Sequence, residues 1–164
     1  MSVKINSYKG RSIRPVYKER IKKDEYSNAI DRICNRYKLG HIKQNESGRE
    51  YKNRMNKLFS DDVIQSMKKY SHHGRTSLGH SVHVSYYNYL VCKKLHLDEK
   101  AGAKAGLLHD LFLYDWHKYS PGKGERLHGF EHPTKALKNA GKYFDITEKE
   151  GDMIAKHMFP LTVT

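Results

Sequence analysis

A chain of 164 residues has the length of one domain, which commonly takes roughly 100–200 residues, and a core of that size folds without disulfides. Apolar residues make up 37% and charged residues 30%, with a mean hydropathy of −0.85, and no apolar run approaches the ~18 residues of a bilayer span, which speaks against a membrane protein. The formal net charge is +13, from 31 Lys and Arg against 18 Asp and Glu; residues 1–60 hold 16 basic and 6 acidic residues, residues 61–164 hold 15 and 12.

The basic excess is therefore a property of the front of the chain. Such charge can draw phosphate-bearing partners, nucleic acid included, through its long-range field. The scattering of the Lys and Arg residues fits a solvated helical surface equally. Met1 is not followed by the charged-then-apolar pattern of a secretory leader. The two cysteines, Cys34 and Cys92, form neither a disulfide framework nor a thiolate metal site, so a reduced, cytoplasmic setting is expected.

The first twenty residues, through Gly10, Arg11 and Pro15, lack periodicity. From Asp24 the pattern turns helical, with Tyr26, Ile30, Ile33, Cys34 and Tyr37 at i, i+4, i+7, i+8 and i+11, closed by Gly40. A second amphipathic stretch carries Tyr51, Met55, Leu58 and Phe59. A third starts at Ser60 as N-cap, with Val63, Ile64, Met67 and Tyr70 on one side. Ser77 to Leu95 reads as a long helix with Leu78, Val82, Ser85, Tyr89 and Cys92 along one stripe.

Asp98 caps a further helix through Ala101, Ala105, Leu108 and Phe112. Ser120, Pro121, Gly122 and Gly124 mark a loop, Pro133 suits the first turn of the next helix, and that helix closes near Gly141. Thr147 and Glu150 make a capping box for a last helix through Ile154 to His157. Nothing alternates with period two for long enough to make a strand. The pattern predicts an all-α fold: a basic helical extension over residues 1–60, then a helical domain over 61–164.

Eleven histidines are present, and ten of them lie between His72 and His157. A buried neutral imidazole must satisfy two ring nitrogens, and a metal ion does so well. The doublet His109–Asp110 ends the apolar helix after Leu107 and Leu108. Neighbours on a helix point about 100° apart, so both can reach one ion only if it sits beside the helix, with other helices completing its surroundings. His80 opens the long helix, His132 precedes the expected Pro133 turn and His157 ends the capped helix. One His from each of four helices, with Asp110 alongside, makes a nitrogen and oxygen donor set that favours Mn, Fe, Co, Ni or Zn over calcium.

These residues, over about 72 to 162, resemble the HD-domain superfamily of metal-dependent phosphohydrolases. Thr76-Ser77-Leu78-Gly79-His80-Ser81-Val82-His83-Val84-Ser85 is similar to the family's opening helix, and Leu107-Leu108-His109-Asp110 to its namesake doublet. His132-Pro133-Thr134-Lys135-Ala136-Leu137 and Ile154-Ala155-Lys156-His157 are similar to the elements bringing the later histidines. Phe112-Leu113-Tyr114-Asp115-Trp116 and His157-Met158-Phe159-Pro160-Leu161 look like a bacterial branch. Members carry a final Asp after the last His, where this chain has none beyond Asp152, so the domain is expected to be C-terminally short. Leu113 stands where nucleotidase members often carry Glu.

The resemblance implies an HD-like helical bundle binding one or two divalent transition ions through His80, His109, Asp110, His132 and His157. It implies hydrolysis of a phosphate ester of a nucleotide or other small molecule by metal-activated water, with Asp110 bridging two ions or binding one. His128, in a Gly-flanked loop before His132, is a candidate catalytic group; Arg75, Lys118 and Lys123 are candidate substrate cations. His83, three residues after His80, is a candidate outer-shell residue. Two alternatives stand beside this: a di-iron oxygenase on the same fold, and a degenerate pocket in a protein binding nucleic acid through its basic front. Many members pair, so a homodimer is a further expectation.

Overall fold

The computed structural model describes residues 35–36, 46–72, 75–122, 124 and 127–159. The expected helix from Asp24 to Gly40 lies outside them except for Asn35 and Arg36, which are helical. Six α-helices make up the described fold: α1 (Glu46–Phe59), α2 (Asp62–Ser66), α3 (Ser77–Lys94), α4 (Glu99–Leu108), α5 (His128–Tyr143) and α6 (Glu148–Ala155). The all-helical expectation holds at this level. It is qualified by one two-residue antiparallel ladder, β1 (Ser71–His72) against β2 (Arg75–Thr76), with Ser71 opposite Thr76. That ladder is too short for period-two patterning to reveal.

Start signals fall close to where the side chains place them. The Thr76 side chain accepts from the Gly79 amide and begins α3, and Asp98 accepts from Ala101 at the start of α4. The Thr147–Glu150 capping box is complete at the head of α6. The cap expected at Ser60 falls instead on Asp61, whose carboxylate accepts from Val63; the Ser60 hydroxyl donates back to the Asn56 carbonyl. After α2 the chain tightens into a 3-10 turn over Met67–Lys69.

The α5 expectation needs a larger correction. Pro133 lies inside the helix, which starts at His128 and runs to Tyr143, and His128 is its first residue and not a loop residue. Pro133 has no N–H for the Gly129 carbonyl. Beside it the His132 ring turns back along the helix, and its Nδ1 donates to the His128 carbonyl at 3.0 Å.

One core gathers the helices. Tyr51, Met55 and Phe59 from α1 meet Leu78, Val82, Tyr86 and Tyr89 from α3, Leu107 and Leu108 from α4, Ala136 and Ala140 from α5, and Ile154 from α6. The helix ahead of residue 60 thus shares its core with those behind it. Helices α3 and α4 pack closest, because α4 presents Gly102 and Gly106 to α3. A Cβ on Gly106 would stand 2.9 Å from the Ser85 Cα, and one on Gly102 2.6 Å from the Cys92 sulfur. At this distance side chains reach the opposite backbone: Ser85 Oγ donates to the Ala103 carbonyl at 2.6 Å and Asn88 Nδ2 to the Gly102 carbonyl at 3.3 Å. Among the described residues no helix is long and apolar enough to cross a membrane.

Candidate metal centre

Each of the five expected donors sits near a helix start or stop, or beside a proline within a helix. His80 lies in the first turn of α3, beside its Thr76 cap. His109 is the residue on which α4 ends, and the chain turns sharply there, with the Leu111 amide donating to the Leu108 carbonyl. Asp110 therefore leaves the helix axis and points inward, 2% exposed. His132 lies on α5 beside Pro133, and His157 follows the end of α6. The close α3–α4 crossing, with Gly106 one turn before His109, brings His109 to His80.

The side chains converge. Asp110 Oδ2 lies 3.2 Å from His109 Nε2 and 3.6 Å from His80 Nε2, while Oδ1 lies 3.6 Å from His132 Nε2 and 3.7 Å from His157 Nε2. The paired imidazoles meet each other: His80 and His109 Nε2 are 3.3 Å apart, His132 and His157 Nε2 2.8 Å. The result is two groups of potential ligands, His80–His109–Asp110 and Asp110–His132–His157, sharing one carboxylate.

The outer edges of three rings fix their tautomers. Nδ1 faces a backbone carbonyl in His109 (Gly106, 2.8 Å), His132 (His128, 3.0 Å) and His157 (Ile154, 2.7 Å). A carbonyl can only accept, so each Nδ1 carries the hydrogen. In the neutral ring the inward Nε2 is then a bare lone pair. Outer hydrogen bonds of this kind orient imidazoles for metal ligation. Two bare nitrogens near 3 Å repel unless a positive charge lies between them, so the donor set fits a divalent cation.

Burial shapes the proton affinities. It is the main cause that pushes His157 down to about 4, with the charge of His109 adding to it, and it lowers His132. Burial also opposes charge on His109, but the hydrogen bond and negative charge of Asp110, with the Gly106 carbonyl, outweigh it and raise its pKa.

Beyond the donors, the segment after Asp110 builds an aromatic wall. Leu113 has a φ of +57°, a left-handed conformation uncommon outside glycine, and it reverses the chain between buried Phe112 and half-buried Tyr114. Asn139 of α5 holds this turn through the Leu111 carbonyl at 2.7 Å. Asp115 caps a 3-10 turn over Trp116–Lys118, and Trp116 Nε1 donates to the Ser71 carbonyl of the β-ladder at 2.8 Å. His128 lies between these rings and the donors. It stacks on His132 at 4.8 Å and Trp116 at 5.4 Å, and its Nδ1 is 2.8 Å from the Tyr114 hydroxyl. Burial, reinforced by the charge of His132, lowers its pKa to about 4.

Of the candidate substrate cations, Lys118 is 86% exposed, with its nearest described acid, Asp115, at 3.7 Å. The Arg75 side chain and all of Lys123 lie outside the described residues. His83 faces Tyr87, ring centroids 4.9 Å apart, and belongs to neither donor group. Sequence reasoning did not single out Lys135, whose ammonium donates to the Tyr119 hydroxyl at 3.2 Å and lies over the rings of Tyr119 and Tyr114. Its spacing of three from His132 on one helix was the available signal. Compared with known proteins, the chain matches no family model, no curated protein and no solved structure.

Proposed function

We propose that this protein is a metal-dependent phosphohydrolase of the HD-domain type, acting on the phosphate ester of a nucleotide or another small molecule. The observation that carries the reading is the buried Asp110 carboxylate with one imidazole pair at each oxygen. His80 and His109 would hold one divalent ion on the Oδ2 side, His132 and His157 a second on the Oδ1 side, with Asp110 common to both. A transition ion held there supplies Lewis-acid polarisation of a phosphoryl oxygen and an acidified water. Asp110 balances part of the positive charge, and the backbone carbonyls behind His109, His132 and His157 keep their rings aimed inward. The buried Phe112 ring and the His128 ring lie against His132 of the second imidazole pair.

A specific observation favours one second reading. Two nitrogen-rich half-sites sharing one carboxylate also suit a pair of irons, as in an oxygenase; uptake of oxygen by aerobically iron-loaded protein, with a visible absorption band, would select it. The first reading is tested by elemental analysis and phosphate release. Purified protein should carry one to two equivalents of Mn, Fe, Co, Ni or Zn and release phosphate from a nucleotide or sugar phosphate. Asp110→Ala should lose both ions, His109→Ala and His157→Ala one each, and each should lower turnover by about 100-fold or more, beyond the loss typical of outer-shell changes. Full metal content and turnover in these variants would overturn the assignment.

A further inference from the structure

We propose that His128 is not a sixth ligand but a neutral hydrogen-bond donor to an anionic oxygen of the substrate, and that Tyr114 is the positioning residue that fixes which ring nitrogen carries its proton. This rests on the phosphohydrolase reading above and adds how the phosphate ester is recognised.

The geometry separates His128 from the neighbouring imidazoles. In His109, His132 and His157 a carbonyl oxygen faces Nδ1, and the lone pair is left on Nε2, toward Asp110. In His128 the group facing Nδ1 is the Tyr114 hydroxyl, at 2.8 Å. Unlike a carbonyl, a phenol can donate. The Lys135 ammonium, 5.3 Å from the centroid of the Tyr114 ring, polarises the phenol in that direction, because a nearby cation favours loss of charge density from the O–H. With the phenol donating, Nδ1 accepts, and the neutral ring carries its hydrogen on Nε2. Its one lone pair is then spent, so this ring has a donor to offer and nothing to give a metal.

The ring is also held in place. His132 and Trp116 stack on it at interplanar angles of 23° and 18°, and Phe112 meets it edge-on with centroids 5.1 Å apart. A donor fixed this way pays little ordering entropy when a ligand arrives. His128 is half-buried, which leaves it reachable while keeping a hydrogen bond stronger than in bulk water. Lys135, held over Tyr119 at 4.3 Å, adds positive potential on the same side. An N–H beside a fixed ammonium and a cation-binding cluster suits an anionic oxygen, and the group that brings one here is the phosphate.

The test uses the full chain loaded with Zn(II), inorganic phosphate as probe, and nitrogen-15 NMR of the imidazoles near pH 7. His128 should show its proton on Nε2, whereas His109, His132 and His157 show theirs on Nδ1. Tyr114→Phe, which removes one oxygen, should convert His128 to a mixture of the two tautomers. By calorimetry, His128→Ala should weaken phosphate binding by about tenfold, the scale of one hydrogen bond to a charged group, at unchanged zinc content, and His128→Gln, which keeps an N–H, should restore part of it. A proton on Nδ1 of His128 in the wild type, zinc lost from His128→Ala, or an unchanged phosphate affinity would each overturn the proposal. Wild-type protein that takes up no zinc, or no phosphate once zinc is bound, would instead bring down the phosphohydrolase reading and this proposal with it.

Discussion

Burial lowers the proton affinity of His132, His157 and His128, while Asp110 raises that of His109, and the two have opposite consequences for stability when no cation is present. An unfolded imidazole takes up its proton near 6.5, whereas folded His157 and His128 do so only at about 4. Between these values the unfolded chain binds more protons, so the stability of the metal-free protein rises as pH climbs from about 4 to about 6.5. His109 acts in the opposite sense. Its raised pKa gives a contribution that is complete below 6.5 and is lost as pH rises through its folded value. Metal-free protein should therefore be most stable near pH 6.5, read as the urea midpoint in the presence of a chelator. His157→Ala should flatten the acid side of that profile; an unchanged acid limb would show that this ring does not report burial in the folded state.

At the scale of elements, the α3–α4 crossing is what makes the doublet useful. Gly106→Ala places a methyl group 2.9 Å from the Ser85 Cα and 2.8 Å from Asn88 Nδ2, and backbone cannot yield as a side-chain tip does. It should cost about 1–3 kcal/mol, the range for overpacking a tight contact, measured by chemical denaturation. Because His109 follows one turn later, the same change should reduce metal uptake on the His80 side more than on the His132 side. Equal uptake at both would mean that the spacing of the helices does not set the distance between His80 and His109.

Most of this level was legible in the residues. Thr76, Asp98 and the Thr147–Glu150 pair start helices because their side chains satisfy amides that nothing else serves, a local effect that sequence carries. Two signals misled. Pro133 suits a helix start, where its missing N–H costs nothing, yet it lies inside α5, a placement no local propensity encodes. Ser60 lost the cap to Asp61 because its hydroxyl turned back to Asn56. The five residues that the fold brings together, His80, His109, Asp110, His132 and His157, could be picked out because each lies near a recognisable start, stop or proline. The wall over them could not. It depends on Leu113 adopting a left-handed backbone and on Trp116 reaching the Ser71 carbonyl across 45 residues.

For the whole molecule, assembly of the centre depends on helices distant in sequence being locked together, and α6, with eight residues, is the shortest of the four that supply it. Its lock is Lys104 of α4, whose ammonium lies 2.7 Å from Glu150 Oε2, with side-chain exposures of 16% and 6%. It also donates to the Asp145 carbonyl just ahead of α6. Glu150 simultaneously serves the Thr147 amide, so one carboxylate both starts α6 and docks it. Removing one partner of such a buried pair leaves the other uncompensated. Lys104→Ala should cost about 3 kcal/mol in a denaturant titration and weaken metal retention at His157. A loss well under 1 kcal/mol would place the docking of α6 in its apolar face alone.

Trp116 is the single tryptophan of the chain, and it lies flat against His128, one ring away from His132. Excited indole is quenched by a neighbouring imidazolium and, at short range, by an open-shell ion. The indole emission of this protein, selected by exciting beyond the absorption of its tyrosines, thus originates beside the centre. Loading with manganese or cobalt, arrival of a ligand, or release of the Trp116–Ser71 hook can each be followed as a change in brightness or colour on the unlabelled chain, in real time and at micromolar concentration.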